Sequence, residues 1–513
     1  MKTYKKLISL KTVSGLSTDQ AIEHIGVLAD AAMQTRKKKG LVQARSLSGE
    51  IEKRPLTFAQ QAVLNYHISN IWGNLHKLSS HPADDTRGWE SENIERQLTY
   101  LRKSVIAAGK DNYQHLDTVQ MCPIITNLAA TLYHIGRFVE ALEHWNNALE
   151  LRPNFSMARG NRGLGLVHYA HALYDDAQAL IFLYHARQDL KSALENDVEH
   201  HAEPVFKSYL EDLDTALADM DTSKIDLKTE KSNAESGYKT WCLQHGLFLN
   251  PLNDLGAFPA AASDTMCTPS IVMVKGEMPY YHGFYNQIKQ EFVSARWLYY
   301  DGLTSQKKHL SDSRVLLLDT LDHPVYGLGI EKIKISFRML YSLFDKIAFF
   351  LNRYLNLSIR EKKVHFRTLW YISRGGVKTL RPEFADSENW PLKGLFWLSK
   401  DLYEDRIGFK DALEPDAGEL HTIRNHLEHK YFKLLEPPEP ETCRDKPAET
   451  FGFIMYRDEF EIKVLRLMKI VRAALIYLAL AIHSEENTRL VTRRLSEPIQ
   501  VMELSLLNGE QKQ

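Results

Sequence analysis

The chain has 513 residues, 44% hydrophobic and 25% charged, a soluble globular composition too long for one ordinary core, so roughly two to four domains are expected. Its net charge of −1 excludes a global electrostatic pull toward nucleic acid, and any RNA contact must use a local patch. Cys122, Cys242, Cys267 and Cys443 are far apart and form no Cys-x-x-Cys pair, which argues against zinc modules and a disulfide framework and fits a reducing cytoplasm.

The N-terminus, MKTYKKLISLKTVSG, lacks the apolar core of a signal peptide. Residues 1–57 are polar and basic, with RKKKG at Arg36–Gly40, and read as a lead-in: either a solvated helix end or a nucleic-acid arm. From Phe58 the pattern turns helical, with Ala62, Asn65, Tyr66, Ser69 and Gly73 on one face and a matching helix over Glu92–Ile106. Between Pro123 and Pro153, Leu128, Ala129, Leu132, Gly136, Phe138, Ala141, Trp145 and Ala148 place small residues where two helices touch, a glycine at the turn and a proline at the end. These spacings resemble a tetratricopeptide (TPR) repeat, and Ser156, Gly163, Leu166, Tyr174 and Ala177 resemble a degenerate second copy. One such unit cannot bury its own face, so a solenoid over residues 58–225 is expected, holding a peptide or protein ligand or serving as scaffold. Residues 193–221 carry nine Asp or Glu against Lys207 and read as a solvated helix face; Thr222–Gly237 reads as the linker at the main boundary.

Residues 226–328 read as a connecting segment. In it Asn250–Gly256, NPLNDLG, is dense in turn formers, and Met278–Gly302 is an amphipathic helix. Val315–Asp319 fits a short strand or a linker. Residues 329–490 read as a helical bundle: Gly329–Leu357, Gly394–Tyr403, a helix over Pro415–Leu434, and Asp458–Ser484. The apolar run Ala473–Ile482 is about half the span of a bilayer helix, so it reads as a buried bundle helix and no membrane segment is expected. The prolines of 436–447 impose a loop, and 491–513 reads as a tail. Asp345, among apolar neighbours, calls for a cation or donor nearby, such as Lys346 or another local base. Glu331–Arg381 holds twelve Lys or Arg against Glu331, Asp345 and Glu361, with Phe366, Trp370 and Tyr371 interleaved. That face, with Lys362, Lys363, Arg367 and Arg374, either binds an RNA backbone or packs against the acidic residues 193–221.

The stretch His421–Lys433, HTIRNHLEHKYFK, carries the chemistry. Leu420, Ile423, Leu427, Tyr431 and Leu434 give one apolar helical stripe behind a candidate capping pair, Asp416 and Glu419. Arg424 supplies a permanent cation and His429 a group titrating near neutral pH. Five positions rotate them roughly 140° apart on a straight helix, so a joint site needs a helix that starts inside the motif or a second copy across a twofold axis.

Arg424, Asn425 and His429, an arginine, a polar residue and a histidine after four intervening positions, resemble the HEPN superfamily, and the upstream repeats with NPLNDLG resemble its subfamily with preceding TPR-like helices. The resemblance implies an all-α protein, a TPR-like solenoid followed by a HEPN-type bundle, a homodimer through that bundle, and metal-independent endoribonuclease activity in a toxin or antiviral setting. It also implies that Asn253 and Asp254 brace the bundle or line its cleft.

RNA carries its own nucleophile, the 2′-OH, so cleavage needs a base, an acid for the leaving 5′-oxygen and a cation for phosphate. His429 serves as base or acid, Arg424 binds phosphate through its planar fork, Asn425 orients, and His426 offers a second proton-transfer group. No cofactor and no metal are called for. Two other readings stay open: a non-catalytic TPR/HEPN adaptor whose motif is a polar face with an Arg424–Glu428 pair, and a metal site of His421, His426 and His429.

Overall fold

The computed structural model describes residues 2–79, 88–109, 116–218, 236–273, 276–305, 308–402, 417–437, 451–492 and 503–507. The fold is all-α, with two tiny sheets among the described residues. Among the described residues no helix is long and apolar enough to cross a membrane.

Helix pairing starts earlier than Phe58. After α1 (Lys2–Ser9), α2 (Thr18–Gln34) pairs with α3 (Lys38–Ile51), and α4 (Phe58–Ser79) with α5 (Glu92–Ala108). Next, α6 (Thr118–His134) pairs with α7 (Phe138–Leu151), and α8 (Ser156–Ala172) with α9 (Asp176–Leu194), followed by α10 (Glu203–Ala216). Short turns force the α2–α3, α6–α7 and α8–α9 pairs antiparallel, and α2 meets α4, α5 meets α6 and α7 meets α8, so the pairs stack in chain order. The first 57 residues are therefore more than a lead-in. Ser17 opens α2 with a capping box to Gln20, and Ile22, Ile25, Leu28, Leu41, Leu47 and Ile51 recur at helical spacing to build a separate small core with Leu64, Ile68 and Ile71 of α4. Most of the intervening linker lies outside the described residues; α11 (Ser236–Gln244) follows it.

The C-terminal part comprises α12 (Tyr280–Thr304), α13 (Leu328–Tyr354), α14 (Trp390–Ser399), α15 (Ala417–His429) and α16 (Arg457–Thr492). α12 and α13 pack along each other, while α16 touches α12, α13, α14 and α8. Between Ala473 and Ile482 every residue of α16 is buried, which is why that run is apolar all round. Val315–Leu318 is neither strand nor helix, and its Leu316 is 98% exposed.

Two hairpin-sized sheets complete the fold. β1 (Tyr371–Arg374) and β2 (Val377–Leu380) pair antiparallel around Gly375-Gly376, both at positive φ as that tight turn requires. β3 (Phe432–Leu435) pairs in parallel with β4 (Phe453–Tyr456), and Val325 N–H donates to Leu434 O on the other side of β3. The helix expected to reach Leu434 thus stops at His429. Phe432, Leu434 and Leu435 are all buried in the sheet, so the apolar positions read as a helix stripe are satisfied by a strand. The insert 438–450 that joins these strands lies outside the described residues, as do Asp416 and Cys443.

One hydrophobic core runs from the helix pairs into the C-terminal bundle. Phe138 of α7 stacks on Trp390 of α14 (4.4 Å between centroids) and meets Tyr477 of α16 edge-on (4.9 Å). Buried ions cross the same seam: Asp401, 1% exposed, accepts from Arg102 of α5 (2.6 and 2.9 Å) and from Arg137 (2.6 Å). Tyr477 hydroxyl donates to Glu140 and accepts from the Val139 N–H.

Candidate active site

α15 forms because Leu420, Ile423 and Leu427 recur at spacings of three and four and bury one face against α13 and the β3–β4 pair. Lys463 of α16 pairs with Glu419 in its first turn (2.5 Å). At its last turn, Arg338 of α13 donates to the Leu427 carbonyl, a cation where the helix dipole favours one.

The motif runs from the edge of that face, where Arg424 lies, round to the far side, where His421, Asn425 and His429 lie. Asn425 Nδ2 donates to His421 Nε2 (2.8 Å), and Arg424 Nη1 donates to Asn425 Oδ1 (3.1 Å). Asn425 is therefore a bridge between an imidazole and a guanidinium. Arg424, half-buried, also lies over the Tyr341 ring of α13 (5.9 Å). His426 shares its Nδ1 with the Thr422 carbonyl (2.8 Å) and packs on Phe453 of β4 (5.5 Å), which leaves Nε2 for other contacts. His429 is exposed at the helix end and shares a stripe with His421 and Asn425 at i+4 steps.

The helix is continuous from Ala417 to His429, so it does not start inside the motif. Arg424 and His429 stay roughly 140° apart around its axis. Glu428 turns to Arg338, its carboxylate 4.0 Å from Nε, while Arg424 reaches Asn425. Among the described residues no three His, Cys, Asp or Glu side chains are grouped to hold a metal ion, so His421, His426 and His429 do not converge as ligands.

The other residues singled out in the sequence are dispersed. Lys362 and Lys363 are exposed on a 3-10 turn, as expected of a phosphate-facing surface. Arg367 is not: it is 3% exposed, because the turn that carries it tucks Phe366, Leu369 and Trp370 into the core. Arg374 falls in β1, and its side chain lies outside the described residues. Asp345 points outward, not among apolar neighbours, because it sits one position off the buried stripe of Phe344, Ile347 and Ala348. It accepts from the Phe366 N–H (3.4 Å) and lies 4.0 Å from His365, while Lys346 pairs with Glu291 of α12. Asn253 satisfies its own loop, accepting from Phe248 N–H and donating to the Leu243 and Gly256 carbonyls. Asp254 is buried between Arg472 of α16 (2.6 Å) and the Tyr169 hydroxyl of α8 (2.9 Å). Burial pushes its carboxyl above the ordinary range despite both partners. The acidic residues pair within the helical repeats, Asp214 with Arg187 and Glu203 with Lys207, and the basic face pairs within the bundle, Lys332 with Asp301 and Arg353 with Glu361.

Arg338, Tyr341 and Phe453 escaped the sequence reading. Each contacts the motif helix from another element, and no spacing within one helix announces a crossing. No curated protein and no solved structure matches the chain. Residues 273–485, from the segment before α12 through most of α16, match the family described as LA2681-like HEPN, so this stretch of the chain is similar to a HEPN domain.

Proposed function

We propose that the chain is a metal-independent endoribonuclease whose scissile phosphate is bound by Arg424 and whose proton transfers involve His429. The observation that carries this reading is the hydrogen-bonded run His421–Asn425–Arg424 on the solvent side of α15, inside the matched HEPN region, with exposed His429 next on the same stripe. His429 removes the 2′-OH proton, the 2′-oxygen attacks the adjacent phosphorus, and the P–O5′ bond breaks. A second imidazole, that of His426 or of His429 from another copy, protonates the 5′-oxygen. Arg424 neutralises the phosphate oxygens as charge builds, and Asn425 holds its fork in place. The products are a 2′,3′-cyclic phosphate and a 5′-OH.

Because α15 is continuous, a homodimer that brings two copies of it together across a twofold axis completes the cleft. HEPN domains commonly bind RNA and dimerise. RNA reaches the site along the basic segment 353–381, where Arg360, Lys362, Lys363 and Lys378 are exposed. The helix pairs upstream, TPR-like in spacing, take a peptide or protein signal that restrains the nuclease, in a cytoplasmic toxin or antiviral setting. The division into residues 58–225, 226–328 and 329–490 belongs to the same proposal.

The test incubates wild type and the Arg424→Ala/His429→Ala double variant with total cellular RNA, with and without EDTA, and maps fragment ends. Cyclic phosphate ends made only by wild type and unaffected by EDTA support the reading. Equal cutting by both proteins discards it, and cutting by neither leaves a helical adaptor.

A further inference from the structure

α13 and α15 cross antiparallel, with Tyr341 opposite Arg424 and, one turn earlier on α13, Arg338 opposite Leu427 and Glu428. Two guanidinium groups thus occupy successive levels of one groove, one turn apart on each helix. Arg338 keeps the upper level at the last turn of α15, and its side chain is 38% exposed. Among the described residues only its Nη2 is engaged, by the Leu427 carbonyl, and its Nε is buried without a hydrogen-bond acceptor. Glu428, also 38% exposed, sits between the two levels, on the edge of α15 that carries Arg424.

A purely structural arginine would spend its fork on the carboxylate, with two parallel bonds near 2.8 Å. Here the carboxylate stands off at 4.0 Å, and the guanidinium is held from one side by a helix C-terminus. That leaves donors for an anion, with Glu428 as the counter-charge in its absence.

We propose that Arg338 is a second phosphate-binding arginine, taking the RNA phosphate next to the one held by Arg424, with Glu428 displaced from it on binding. This rests on the reading that α15 handles RNA, yet its test needs no cleavage.

Binding of a fluorescein-labelled single-stranded RNA dodecamer is followed by anisotropy across a salt series in the full-length His429→Ala protein. With Arg338→Ala added, affinity is expected to fall about tenfold, and the slope of log K against log salt to flatten by about 0.7, the loss of one single-strand phosphate contact. Arg338→Lys retains the slope but not all of the affinity, since charge survives and the fork does not. Glu428→Gln tightens binding.

Hydrogen exchange at the amides of 426–430 reports separately on the helix end. Frayed amides with an unchanged salt slope make Arg338 a cap and overturn the proposal, as does unaltered affinity in Arg338→Ala or no RNA binding at all. Failure of the nuclease reading registers elsewhere, as absence of cut ends in the wild type.

Discussion

Asn425 is tied on both sides, so its removal releases two groups at once. Asn425→Ala is expected to slow single-turnover RNA cleavage on the order of 10²-fold while the melting temperature holds, because a misaligned fork loses transition-state contacts more than ground-state ones. Asn425→Asp should not rescue it, since a carboxylate cannot donate to His421. His429→Ala is expected to abolish cleavage with RNA binding largely kept, checked by a filter-binding assay beside the cleavage assay. Away from the site, His67 on α4 is packed against Gly26 of α2, and burial holds its imidazole down at about 4; His144 is likewise held at about 4, chiefly by burial. As pH falls below about 6.5 the unfolded chain takes up those protons first, so stability is lost from there down to about pH 4. Melting temperature should therefore drop between pH 7 and pH 5, and His67→Gln should shrink the drop. A pH-independent melting curve over that range contradicts the assignment.

At the level of elements, the turn between α6 and α7 does more than reverse the chain. Gly136 has φ +85°, and a Cβ there would strike the backbone of Trp390 and Gly394 in α14. Gly136→Ala combines left-handed strain with a backbone clash and is expected to destabilise by about 2–4 kcal/mol in urea unfolding, against about 1 kcal/mol for an ordinary helical Gly-Ala exchange. The glycine, the small contact residues Ala129, Ala141 and Ala148, and the apolar stripe of α15 were all legible in the sequence, because each belongs to a local period. The β3–β4 pair was not. Its two strands lie far apart in the chain, and Leu434 fits a helix stripe and a buried strand equally well. Nor was the outward turn of Asp345 or the burial of Arg367, which depend on how the 355–370 segment folds back against α13. In the site itself the residue types were legible, while their partners on α13 and β4 were not.

Across the whole molecule, the helix pairs and the bundle are joined by buried charge. Burial raises the carboxyl of Asp401, but Arg102 and Arg137 more than offset it and hold it below the ordinary range. Its contribution is therefore complete above the unfolded value of about 3.9 and is lost only as pH falls through the lower folded value, directly below the histidine window. Asp401→Asn removes the carboxylate that Arg102 and Arg137 share, leaving Arg137 with Glu140, and should cost about 3 kcal/mol, read as a fall in the denaturation midpoint.

The seam at Phe138, Trp390 and Tyr477 carries one more implication. The stretch recognisable by descent, residues 273–485, is smaller than the unit that folds, for the apolar sides of α14 and α16 are closed by helices that precede it. Excised alone, that stretch should bind a hydrophobic dye and melt without a cooperative step, and it should regain both order and a sharp transition when residues 1–272 are supplied in trans.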